Sequence, residues 1–307
     1  MTSSQYYQHT INTPFTCFGR GLHTGVPVVM KVLPAGDNTG RTFVRRDCLT
    51  GQNDVRAIWF NVRNTQLSTT LCNRFGVTVT TVEHLMAAFA AHGVDNVKIV
   101  LDGPEVPILE GSSRTFSDLI LASGLKQQRA RRKVIVVKRA VQFDLGDRSG
   151  MLVPGKGLTA DLEIDFEAQA IGRQAIKGVE LNEETFVRSI RDARTFGVVD
   201  DVEQLMQNGF ARGASLKNAL VVQGDRILNP EGLHYPDECV RHKVLDLYGD
   251  LAMAGAPIKG HFRGLKSGHH INANVVTQLL TDSQSFEFID AEQADRQWQK
   301  LPTQVTA

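Results

Sequence analysis

The sequence predicts an α+β protein of two domains, each a mostly antiparallel sheet with helices on one face. Three observations predict it. The chain has 307 residues, more than one hydrophobic core usually organises, and length alone gives about two domains. Both halves run strands first and helices later, the order of an α+β layer. Between them lies KQQRARRK, 126–133, which is polar, strongly basic and without apolar period. It reads as a linker and divides the chain into 1–127 and 128–307.

In the first half, TFVRRD (42–47), AIWFNV (57–62) and VKIVLDG (97–103) carry the β-branched and aromatic residues of half-buried strands. An apolar helix is expected over 82–92, ended by Gly93. After GPEVPILEGSSRTF a second helix runs over 116–123 and stops at Gly124. Beyond the basic run, KVIVVKRAVQF (133–143), GMLVPG (150–155) and LTADLEIDF (158–166) read as strands, and NEETFVRSI (182–190) as a helix. A stretch rich in glycine and small residues covers 196–222. The helix ECVRHKVLDLYGDLAMAG (238–255) follows, then a strand through HFRGLKSGHHIN (261–272) and a last helix beginning near Asn272.

Composition excludes several classes of function. With 34 Lys+Arg against 33 Asp+Glu, there is no global field for nucleic acid or an anionic membrane. Cys17, Cys48, Cys72 and Cys239 are scattered without a C-x-x-C spacing, which argues against a disulfide framework and for a reducing compartment. The terminus MTSSQYYQHT has neither the basic nor the apolar region of a leader peptide. No uncharged apolar run approaches the roughly 18 residues of a membrane helix. The expectation is a soluble cytoplasmic protein.

The candidate chemistry begins on the long helix. Val240, Val244, Leu247 and Leu251 form one apolar stripe, while His242 and Asp246, four apart, share a direction roughly opposite to it. Such a pair presents two metal ligands from a rigid element, or is a surface ion pair. In TTVEHLMAAF, 80–89, Thr80-x-x-Glu83 matches a capping box, and His84 enters an apolar environment either as a satisfied core residue or as a ligand. In SGHHIN, 267–272, His269 and His270 would face opposite sides of a strand, so at most one serves a given site. Taken together, His84, His242 and Asp246 offer the three ligands of a catalytic zinc, Glu83 a base for water, and His269 an acid for a leaving amine. These are the parts of a metal-assisted amide hydrolysis.

Several longer motifs carry a resemblance. GRGLHTG (19–25), TTVEHLMAAF (80–89), GVDN (93–96), PEVPILEGS (104–112), SIRDARTFG (189–197), VRHKVLDLYGDL (240–251) and KSGHHIN (266–272) resemble, in order, those of the UDP-3-O-acyl-N-acetylglucosamine deacetylases, zinc amidases at the committed step of lipid A synthesis. The resemblance runs from about Gly19 to near the C-terminus. It implies two two-layer α/β sandwich domains packed helix against helix, with the active site between them and a β-α-β insert in the second at about 195–222.

It also implies roles. His84, His242 and Asp246 would bind zinc, with iron(II) a possible occupant of such a site, and Asp246 counts among the catalytic groups too. Glu83 would be the general base, His269 the protonated acid, and Thr195 a donor to the oxyanion. Lys243, Phe196 and His23 would lie against the substrate, a UDP-sugar carrying one acyl chain. Phe196, Val198, Leu205, Met206, Phe210 and Ala214 are candidate walls of an acyl passage. A monomer without nucleic-acid partners or stable membrane insertion is expected. Two positions depart from the family pattern: Glu110 stands where Asp is usual, and Gly213-Ala214-Ser215 where Gly-Gly-Ser is usual.

Overall fold

The computed structural model describes residues 3–300. The first two residues of MTSSQYYQHT, and residues 301–307 at the end of the second expected domain, lie outside that range. In chain order the first elements are β1 (Tyr7–Ile11), β2 (Phe15–Arg20), β3 (Pro27–Pro34), β4 (Arg41–Arg45), β5 (Asp54–Arg56), β6 (Val62–Asn64), β7 (Thr70–Cys72) and β8 (Thr78–Val79). Helix α1 (Glu83–Ala91), β9 (Val97–Leu101) and α2 (Arg114–Ser123) follow. Alternation in β3 buries Val28, Met30 and Val32 and leaves Val29 and Lys31 outside. That face joins a five-stranded sheet, β2-β3-β9-β4-β5, in which only β4 and β9 run parallel. Gly93 takes φ +66 just after α1 and Gly124 φ +67 after α2, the left-handed helix ends that glycine tolerates.

The second set comprises β10 (Leu125–Arg131), β11 (Lys133–Val137), β12 (Val141–Leu145), β13 (Arg148–Val153), β14 (Leu158–Asp165), β15 (Arg173–Glu180) and α3 (Glu183–Thr185). Then come β16 (Phe196–Val198), α4 (Val199–Gln207), β17 (Leu220–Gln223), β18 (Arg226–Ile227), α5 (Glu238–Leu251), β19 (Ile258–Leu265), α6 (His269–Thr281), β20 (Phe286–Asp290) and α7 (Ala291–Lys300). Strand β19 is central to a seven-stranded sheet. It lies antiparallel to β13 and parallel to β14, and its start pairs with β11. The expected β-α-β insert is present as β16-α4-β17, with its two strands parallel. No helix among the described residues is long and apolar enough to cross a membrane.

Four local expectations are corrected. KQQRARRK is no linker: most of it is β10, paired antiparallel with β1 through His9 and Gln127 and through Ile11 and Leu125. Its side chains stay largely in water, so the ladder rather than an apolar face holds it. AIWFNV is not a strand; β5 ends at Arg56, and a tight turn over Trp59–Asn61 is closed by Asn61 Nδ2 donating to the Arg56 carbonyl at 2.9 Å. NEETFVRSI begins as α3, capped where Thr185 N donates to the Asn182 side chain, and widens into a π-helical turn over Phe186–Ile190. The strand expected through HFRGLKSGHHIN stops at Leu265, and α6 starts at His269.

Helices α1 and α5 are buried on nearly every side: they pack on each other, α1 also against α2 and α5 also against β14 and β15. A methyl group on Gly249 would sit 2.0 Å from the Glu83 carbonyl oxygen, so the two backbones cross in direct contact. Gly→Ala in a helix ordinarily stabilises by up to about 1 kcal/mol. Here the sign reverses: Gly249→Ala is expected to lower the unfolding free energy by roughly 1–3 kcal/mol, the cost of overpacking. Urea denaturation measures this, and an unchanged or raised midpoint would show that the helices part without cost.

Candidate active site

The approach to α1 decides what Glu83 does. Thr80 N donates to the Pro104 carbonyl at 2.9 Å, so the amide that a capping box would need is already taken. Thr81 follows in the left-handed region at φ 56, and its hydroxyl donates to Glu105 Oε1 at 2.8 Å. This turn points the Glu83 carboxylate inward, where Oε2 accepts from Thr69 N at 3.0 Å. The capping alternative is thereby overturned. Burial raises the Glu83 pKa above the ordinary carboxylate value, opposed by the nearby imidazoles of His269 and His84.

His84, one residue on, is also buried. Its Nε2 lies 3.6 Å from Asp246 Oδ1, and His242 Nε2 lies 3.3 Å from the same oxygen. The two rings meet edge to face, centroids 4.9 Å apart. His242 Nδ1 is 3.0 Å from the Ala193 carbonyl; a carbonyl only accepts, so Nδ1 carries the proton and Nε2 offers its lone pair inward. Burial pushes the His242 pKa down to about 4, which keeps the ring neutral. Burial alone would raise Asp246, but the positive charges of Lys243 and His269 hold it well below the usual range.

Asp246 Oδ1 is buried yet has no hydrogen-bond partner among the described residues. An orphaned carboxylate oxygen facing two imidazole nitrogens, that of His242 with its lone pair inward, is costly unless something positive sits between them. One atom from each of the three residues lies within 4.8 Å of the others, and this is the one such His/Cys/Asp/Glu group among the described residues. The donor set, two nitrogens and one oxygen, fits a divalent cation with an open position.

His269 opens α6 behind Gly268, which is extended. Consecutive positions on a helix point about 100° apart, so His269 turns inward while His270 reaches Thr65 Oγ1 at 3.2 Å. One histidine serves the site, but a helix rather than a strand does the sorting. His269 Nε2 lies 3.8 Å from Glu83 Oε1 and 3.9 Å from Asp246 Oδ2. On its other side Nδ1 bonds Asp250 Oδ2 at 2.9 Å, an oxygen that also accepts from Asn272 Nδ2. Thr69 Oγ1 donates to Asp250 Oδ1 at 2.6 Å. Burial would lower the His269 pKa, but Asp250, Asp246 and Glu83 outweigh it and raise it to about 9.

Lys243 Nζ donates to Asp246 Oδ2 at 2.8 Å and stands 5.6 Å over the Phe196 ring; that ring in turn lies 6.2 Å from His242. Lys243 and His269 line one open cavity of about 1230 Å³, walled further by Arg63, Phe166 and Lys266. Thr195 is placed by its backbone, N donating to Gly111 O at 2.7 Å. His23 has both ring nitrogens buried without partners, 6.1 Å from Phe210. Its loop hangs on Glu105, a buried carboxylate that accepts from His23 N, Thr24 N and Thr24 Oγ1 at 2.7–2.9 Å. Of the insert's candidate wall residues, Met206 and Phe210 stay exposed at 45% and 39%.

Asp250, Thr69, Asn272 and Glu105 were not anticipated. Asp250 had a signal: in HKVLDLYGD it repeats the four-residue step from His242 to Asp246 along one helix face. Thr69 and Glu105 act from loops, where no periodicity marks them.

A buried two-histidine, one-aspartate group beside an inward carboxylate and a protonated imidazole is the equipment of a hydrolase that activates water. Comparison with known proteins agrees and is narrower. Residues 8–281 match the family described as UDP-3-O-acyl N-acetylglycosamine deacetylase. The chain is 42% identical over 291 residues to the UDP-3-O-acyl-N-acetylglucosamine deacetylase of Myxococcus xanthus (strain DK1622), covering 95% of this chain and 92% of the relative. It is 44% identical over 273 residues to the protein of the same name from Phenylobacterium zucineum (strain HLK1), covering 89% and 93%. For that of Pasteurella multocida (strain Pm70) the figures are 41% over 304 residues, 97% and 98%. The chain belongs to the UDP-3-O-acyl N-acetylglycosamine deacetylase family.

The Asp250 contact makes a measurable difference to His269. In the metal-free protein, Asp250→Asn is expected to bring the His269 pKa down from about 9 toward the ordinary value near 6.5, followed by NMR titration of the ring. The linkage follows the same sign. A raised folded-state pKa stabilises fully below about 6.5 and loses that contribution as pH rises through about 9. The variant should therefore show a flatter fall in stability across this window, and an unshifted His269 titration would dismiss Asp250 as its main partner.

Proposed function

We propose that this chain is a zinc-dependent amide hydrolase that removes acetate from UDP-3-O-(3-hydroxyacyl)-N-acetylglucosamine, the committed step of lipid A biosynthesis. The observation that carries the reading is the orphaned, buried Asp246 Oδ1 facing His84 Nε2 and His242 Nε2, in a chain about 40% identical to deacetylases over nearly its full length. His84, His242 and Asp246 hold the ion in this reading; zinc suits the donor set, and iron(II) is the alternative. The ion contributes Lewis acidity toward the acetamide carbonyl and toward water.

The remaining work falls to the protein's own side chains. Glu83, its second oxygen occupied by Thr69 N, takes a proton from the attacking water with Oε1. Thr195 donates a hydrogen bond to the carbonyl oxygen as it becomes an oxyanion. His269, kept protonated by the carboxylates around it, gives its proton to the glucosamine nitrogen as the C–N bond breaks, leaving acetate and a free amine. Lys243 and Phe196 bind the sugar-nucleotide, with Lys243 at the edge of the large cavity, and His23 contacts the substrate from its loop near the reaction site. The insert at 195–222 guides the acyl chain. The division into units of 1–127 and 128–307, each supplying part of the site, belongs to the same reading, as do a monomeric state, cytoplasmic location and no nucleic-acid partner.

Glu83→Ala and His269→Ala are each expected to lower turnover by about 10²–10⁴-fold while zinc content stays stoichiometric by elemental analysis. Near-normal rates in both, with metal retained, would sink the role assignment. Assayed side by side, the UDP-linked substrate should turn over and the free acyl-N-acetylglucosamine should not; equal rates would point to an amidase for another N-acetylated sugar. The rate should be bell-shaped in pH. It declines on the acid side as Glu83 becomes protonated and on the alkaline side as His269 loses its proton, about pH 9 from its surroundings. A flat profile from pH 5 to 10 in single turnover would contradict the pairing.

A further inference from the structure

Helix α5 gives Asp246 and Asp250 to the candidate site and Tyr248 and Leu251 to the lining of a second cavity. This cavity measures about 650 Å³, within the roughly 300–1,000 Å³ of ordinary small-molecule sites. Leu125, Leu181, Leu251 and Ile258 are among its apolar walls. None of the residues that line it takes part in the chemistry above.

The charges that face this cavity are nearly all spoken for. Asp95 pairs with Arg132 at 2.6 Å, Asp295 with Lys259 at 2.7 Å, and Glu183 with His92 at 2.9 Å. Arg41 is the exception. Its hydrogen bond to protein is Nε to the Val94 carbonyl at 2.9 Å, and among the described residues it has no carboxylate partner. The two terminal nitrogens of this half-buried guanidinium hydrogen-bond to no protein group among the described residues, so their N–H groups are open to a ligand. Burial pushes Arg41 down to about 10, opposed by the Asp95 carboxylate nearby. Arg41 also lines an adjoining cavity of about 360 Å³, where Arg56 and Lys133 join it. The guanidinium thus stands where an apolar chamber meets a cationic one.

We propose that this pair of cavities is a ligand site, separate from the deacetylase site, for a single-chain amphiphile with an acidic head. Arg41 holds the head through its free N–H groups, in the fork geometry that suits carboxylate or phosphate. The tail lies between Leu125, Leu181, Leu251 and Ile258. Ala256, which lines both cavities, marks the passage between head and tail.

Decyl phosphate below its micelle concentration is the probe, titrated calorimetrically into the zinc-loaded full-length protein. Inorganic phosphate and decanol serve as head-only and tail-only comparators. Arg41→Gln should weaken decyl phosphate binding at least about ten-fold, and Ala256→Phe should remove it by filling the passage. Deacetylase activity of both variants should stay within about two-fold of the parent, which also certifies that they fold. Unchanged affinity in both variants would place the probe elsewhere, the acyl passage included, and overturn the proposal. So would decanol binding as tightly as decyl phosphate, since the head would then contribute nothing. Inorganic phosphate matching decyl phosphate would overturn it equally, by removing the tail.

Discussion

The crossing of α1 and α5 at Gly249 is the constraint on which the rest of the site depends. The Glu83 carbonyl occupies the space where any other residue at 249 would place a Cβ. That contact fixes the height of one helix against the other. His84 is one residue beyond the contact on α1, and His242 and Asp246 lie within two turns of it on α5. Three donors from two helices then meet without help from a loop. A site built on such elements is held more tightly than one built on loops, and here the backbones themselves set the distance.

Around that crossing the protein surrounds an electrostatic imbalance. Asp246, Glu83 and Asp250 bring three carboxylates into a buried space, against His269 and Lys243. Each carboxylate except Asp246 Oδ1 has its oxygens engaged or near a cation. That unmet carboxylate oxygen is where a positive ion would complete the charge balance. The second cavity shows the reverse case, a cation without its anion at Arg41.

The two site helices and the histidine–aspartate step on α5 were legible in the sequence, because each leaves a period or a spacing in the letters; the packing of helix on helix came from the resemblance, and β20 and α7 follow the helix expected to be the last. The β-α-β insert was located by resemblance, and its strands and helix fall within about one residue of the expected span. What the letters hid is non-local. KQQRARRK looked like a linker because its polar side chains face water, and the partner that makes it a strand is β1, more than a hundred residues earlier. Glu83 matched a capping box until the Thr80 amide was found bonded to Pro104. Asp250 could have been found by extending the same four-residue step once more.

Thr69 touches both ends of the proposed proton path: its amide holds Glu83, and its hydroxyl holds Asp250 and so His269. It behaves as a ruler laid between a proton acceptor and a proton donor. One residue of backbone thus sets the gap between the two groups, where an amide bond would have to fit, and a change at position 69 reaches both of them at once.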